Sequence, residues 1–166
     1  MLNNVMQGGM IQVDQPLYYT FRGISAIEAA RIMAGESENK DGDLMRAIIK
    51  LLYRYPRKNG AQDLDLAIQC IEVLREDYTD QPKKREGDMI KHPDHYTFRG
   101  TEAIEAVKIL TATATGVEAY LLGCAVKYLY RYPRKNGKQD LDKAIQCIKM
   151  LRDHLYGKEE KTNHIR

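Results

Sequence analysis

The stretch RYPRKNG at residues 54–60 returns unchanged at residues 131–137. The offset is 77 residues, and it also aligns YTFRG at 19–23 with 96–100, and AIQCI at 67–71 with 144–148. Residues 19–78 align with 96–155 without a gap, and about half of the positions are identical. The chain is therefore read as a tandem duplication, each copy a small subdomain rather than one turn of a solenoid.

Working outward from the heptapeptide, each copy reads as three helices. In the second copy, Ala103, Ile104, Val107 and Leu110 give helical spacing to the first. Thr115-Gly-Val-Glu118 has the form of a capping box, so the second helix opens at Thr115. It runs through Leu121, Leu122, Ala125, Tyr128 and Leu129, and Pro133 is read as its end. Leu141, Ile145, Ile148, Leu151 and Leu155 make one stripe of the third helix. The first copy follows the same plan with Ile27, Ile32, Leu44, Ile48, Leu52, Leu64, Ile68, Ile71 and Leu74, its second helix opening at 39–41. YTFRG precedes helix one in both copies and reads as a short extended segment. The expectation is an all-α fold of two three-helix units about a pseudo-two-fold, with minor strand content at most. The boundaries read as an N-terminal arm at 1–13, unit one at 14–78, a polar linker at 79–91, unit two at 92–156 and a tail at 157–166.

Composition bounds the function. A length of 166 residues, 43% hydrophobic and 30% charged, is ordinary for a globular chain. Each copy is near the size at which a lone core is marginal, so the copies share a core or the chain forms a homo-oligomer. A net charge of +3 is too small to argue for bulk nucleic-acid binding. Cys70, Cys124 and Cys147 have no CxxC spacing, which speaks against a zinc or thioredoxin-type motif; they read as small thiols inside apolar helices. No secretory leader or long apolar run is visible, so the expectation is a cytoplasmic protein without a membrane partner.

Chemistry is sought in the basic residues. Lys127 and Arg131 share a helix face, as do Lys50 and Arg54, and Arg134, Lys135 and Arg57 follow just after. Arg22 and Arg99 stand before helix one, where free N–H groups favour anions. These residues read either as phosphate ligands, through the guanidinium fork, or as cations at helix ends. Tyr53, Tyr55, Tyr130 and Tyr132 flank the arginine, and they read either as two packed inward and two facing a ligand or as the amphipathic edge of the core. His92 and His95, before Tyr96, have no counterparts in the first copy, so the two halves are not expected to do the same work. Two histidines are short of a metal site, and contact with an anion suits them better. Asp63 and Asp140 are read as carboxylates on a helix dipole. No P-loop, GxGxxG or nucleophilic triad is present, no catalytic residue is assigned and no cofactor is expected.

His95-Tyr96, Gly100, Ala103-Ile104-Glu105, Gly123, Ala125, Lys127-Tyr128, Arg131, Asp140-Leu141 and Lys143-Ala144 together resemble a phage SaV-like small-protein family of unknown function. The first copy departs from this pattern at Tyr18, Arg46, Leu51 and Leu66. Members similar to the T7-type phage nucleotide kinase imply a nucleoside monophosphate substrate without a P-loop. The first expectation is a phage protein that binds a phosphorylated small-molecule nucleotide, sequestering a host immune signal. A P-loop-less nucleoside monophosphate kinase is the alternative, and a nucleic-acid-binding module is a third and weaker reading.

Overall fold

A computed structural model describes residues 20–21, 24–80 and 102–157. Those residues form an all-α fold. A two-stranded antiparallel pair, β1 (Thr20–Phe21) and β2 (Ile24–Ser25), leads directly into the first helix. It is followed by α1 (Ala26–Ala34), α2 (Lys40–Arg54) and α3 (Ala61–Asp77). The second copy supplies α4 (Ala103–Leu110), α5 (Gly116–Arg131) and α6 (Lys138–Tyr156). A three-residue 3-10 turn, Tyr55–Arg57 or Tyr132–Arg134, follows the middle helix of each copy.

The helices form where the sequence places apolar stripes, and Leu64, Ile68, Ile71 and Leu74 face the core just as Leu141, Ile145, Ile148 and Leu151 do. The first helices differ from expectation. Ile27 and its counterpart Ile104 are about half exposed, while Ala26, Ala29, Ala103 and Ala106 are buried. Helices α1 and α4 pack against each other. Their buried residues are Ala26, Ala29, Ala30, Ile32, Met33 and Ala34 on α1, and Ala103, Ala106 and Leu110 on α4, a mostly small-residue set.

The middle helix opens at Thr115 and ends just before Pro133 as read, but the local bonding at both ends differs. Thr115 is the N-cap of α5, but its side chain makes no capping hydrogen bond. Glu118 instead accepts a hydrogen bond from Tyr55 Oη of the other copy at 2.5 Å. In the first copy Asn39 caps α2, accepting from Gly42 N at 2.9 Å. The residue before Pro133, Tyr132, remains in right-handed helical geometry. The Tyr132 N–H still bonds to the Tyr128 carbonyl, and the chain then tightens into a 3-10 turn with Pro133 in its first turn, a position that suits the fixed φ of proline.

One hydrophobic core contains residues of both copies. Like packs on like, α1 on α4 and α3 on α6. The ion pairs across the α3–α6 seam are reciprocal. Arg75 pairs with Asp142, and Arg152 Nη1 pairs with Asp65 Oδ1 at 2.5 Å. Arg152 is the counterpart of Arg75, and Asp142 of Asp65. A contact repeated with the partners exchanged is the pattern of an isologous interface. Each copy is thus supplied with apolar burial by the other, which answers the shortage of core in either one alone.

Candidate functional site

The heptapeptide is consumed by the fold. Arg131 Nε and Nη2 donate to the two carboxylate oxygens of Asp140, each at 3.0 Å, and Asn136 Nδ2 donates to the same carboxylate at 3.2 Å. In the first copy Arg54 holds Asp63 at 2.9 and 2.6 Å, with Asn59 again at 3.2 Å. Both aspartates are fully buried. Burial alone would raise the Asp63 carboxyl, but the hydrogen bonds from Arg54 and Asn59 outweigh it and hold the group below the usual carboxylate range. These aspartates are therefore ion-pair partners and not merely dipole carboxylates, and the arginines are not merely helix-end cations.

The glycine ends the device. Gly60 and Gly137 have φ of 52° and 51°, a left-handed geometry that opens α3 and α6. Each also lies against the other copy. A Cβ at Gly60 would press on the Tyr156 ring, and one at Gly137 would collide with Asp80 and Tyr78.

The four tyrosines around the arginine, Tyr53, Tyr55, Tyr130 and Tyr132, are all buried, as the core-edge reading has them, and none is placed as an outward ligand contact. Tyr55 reaches Glu118, and burial first, then that hydrogen bond, pushes its hydroxyl pKa far up. The matching junction is built differently. Asp41 stands where the second copy has Glu118, and a cavity of about 230 Å³ lies between Asp41, Asn39, Ser37 and Tyr132.

The outer face of α5 and α6 is where cations gather. The half-buried ring of Tyr128 has Lys127 Nζ at 4.9 Å, Arg131 Cζ at 4.8 Å and Lys143 Nζ at 5.8 Å from its centroid. Cations over an aromatic face are attracted by its quadrupole. The first copy has Leu51 for Tyr128 and Leu66 for Lys143, so no such cluster exists there. Lys143 was absent from the site residues assigned on the sequence; its signal was the Leu66 counterpart combined with the helical hairpin register.

The remaining predicted residues separate. Lys135 lines a cavity of about 160 Å³ with Tyr78, Asp80 and Tyr132. Arg134 is exposed at the end of its 3-10 turn, and Lys50 is exposed on α2. Arg57 is turned inward: it donates to the Tyr53 carbonyl at 2.6 Å and to Thr113 Oγ1 at 3.3 Å, and lies over the Tyr53 ring. Arg22, His92, His95, Tyr96 and Arg99 lie outside the described residues. Among the described residues, no group of three or more His, Cys, Asp or Glu side chains is placed to hold a metal ion, and no helix is long and apolar enough to cross a membrane.

No curated protein and no solved structure matches the chain. The copy that carries the cation cluster is the one with a family match: residues 90–149 match the model of a family described as a protein of unknown function, DUF3310.

Proposed function

We propose that this is a phage protein whose second copy binds a phosphorylated nucleotide on the α5–α6 face around Tyr128, holding the ligand without converting it. Sequestration of a host nucleotide signal is the role that suits such binding. The observation that carries this reading is the arrangement of Lys127 and Lys143 about the Tyr128 ring. Neither lysine makes an ion pair among the described residues. Two ammonium groups without carboxylate partners suit phosphate oxygens, and a half-exposed ring beside them suits a base or ribose. Arg131, already engaged by Asp140, acts here by fixing the cluster. The first copy, with Leu51 and Leu66, would serve as scaffold, giving one ligand per chain. The homo-oligomer expected from small copies is not needed for core burial, since the copies cover each other.

Calorimetric titration of the full chain with nucleoside mono-, di- and cyclic phosphates tests the reading. Lys127→Ala combined with Lys143→Ala should weaken binding by roughly ten- to a hundredfold, the loss expected for charge-assisted phosphate contacts, and leave the thermal melt in place. Unchanged affinity with an unchanged melt overturns the site. Formation of a diphosphate from ATP and a nucleoside monophosphate would replace the binder with a kinase.

A further inference from the structure

Cys124 on α5 and Cys147 on α6 are set opposite one another by the same register that builds the cation cluster. Arg131 pairs with Asp140 across this antiparallel helix pair. Three residues back along α5 and three forward along α6, Tyr128 meets Lys143. One further helical step of four residues in each direction brings Cys124 to Cys147. Both thiols are half-buried and neither is in a disulfide. Helix axes at packing distance leave directly facing Cα atoms roughly 3.4–5.4 Å apart, and those beside the seam farther, which overlaps the span a disulfide bridges. The first copy supplies a control, because Ala47 stands opposite Cys70.

We propose that Cys124 and Cys147 form a two-electron dithiol site, oxidised to an intramolecular disulfide by a small-molecule disulfide of the glutathione class. The Cys124 thiolate attacks one sulfur of the small disulfide, forming a mixed disulfide and expelling one small thiolate. Cys147 then gives up its proton and attacks the Cys124 sulfur, expelling the second. The two protein thiols are oxidised, the small disulfide is reduced to two thiols, and the two protons end on them. Burial first, and then the neighbouring Cys124, raises the Cys147 thiol, which keeps it protonated and disfavours it for the first attack. The bridge would tie α5 to α6 one turn from Tyr128, and it stands independently of what that face binds.

The test uses the full chain equilibrated with oxidised glutathione. Titratable thiols should fall from three to one, the intact mass should drop by two hydrogens, and peptide mapping should join Cys124 to Cys147. Cys70→Ser should form the same bridge, and Cys124→Ser should abolish it. Stable glutathione adducts at either position, a bridge between two chains, or three free thiols after oxidation would each overturn the proposal.

Discussion

The two copies contain the same heptapeptide in the same geometry, yet their outer faces differ. Arg54–Asp63–Asn59 and Arg131–Asp140–Asn136 superimpose in chemistry almost bond for bond. On the neighbouring face, Tyr128, Lys143 and Cys124 correspond to Leu51, Leu66 and Ala47. Residues kept in both copies invite a functional reading, and here two of the kept arginines, Arg54 and Arg131, are occupied by the fold. A buried carboxylate must have its partner in each copy, whereas a surface face is needed only where something binds. The comparison therefore directs attention to the positions that diverged.

The largest effect should come from breaking the shared device. Arg131→Ala leaves Asp140 buried and unpaired, and should cost about 3–5 kcal/mol in denaturant unfolding. Arg54→Ala should cost nearly as much, toward the lower end, because its side chain is 18% exposed against 11% for Arg131. If either variant unfolds like the parent, the equivalence of the two devices fails.

The same device has an acid limb. The folded-state pKa of Asp63 is depressed, so its contribution is complete above the ordinary carboxylate range and is lost as pH falls through the lower folded value. Helical circular dichroism followed into acid should therefore show a steeper loss of stability for the parent than for Asp63→Asn. Parallel curves would remove Asp63 from the acid transition.

A smaller effect separates the two junctions. Tyr55→Phe removes the hydrogen bond to Glu118 and should cost about 1.5–3 kcal/mol, the range for a bond to a charged group. Glu118→Asp makes this junction resemble the one at Asp41 and should lose part of that amount. A full-strength melt in Tyr55→Phe would mean that the difference between the junctions carries no stability.

The smallest effect is expected at the reciprocal surface pairs. Arg75→Asp should cost up to about 1 kcal/mol, and adding Asp142→Arg should recover most of it. Recovery in the double variant measures the seam between the copies directly; its absence would reduce the pair to a surface coincidence.

Much of the fold was legible because helical periodicity and the 77-residue offset are local or linear signals. Periodicity failed at Ile27 and Ile104, which are about half exposed although Ile32, Ala103 and Leu110 of the same helices are buried. Which side of a short helix faces inward depends on what packs against it, and α1 packs against α4. The capping box at Thr115–Glu118 failed for a related reason. Its glutamate found a tyrosine from the other copy, a partner 63 residues away in sequence.

The sequence by itself determined that the chain carries an internal repeat, is helical and is asymmetric in its histidines, because identity, period and composition are properties of the string. Only the tertiary structure decided which charges are spent. Arg131 and Asp140 are nine residues apart, on two helices joined by the heptapeptide turn, and their pairing exists only once that turn closes. Likewise Lys127, Lys143 and Tyr128 become one cluster only across the α5–α6 seam. Coulombic and hydrogen-bond partners are set by distance in space, which no linear spacing fixes until the chain has packed.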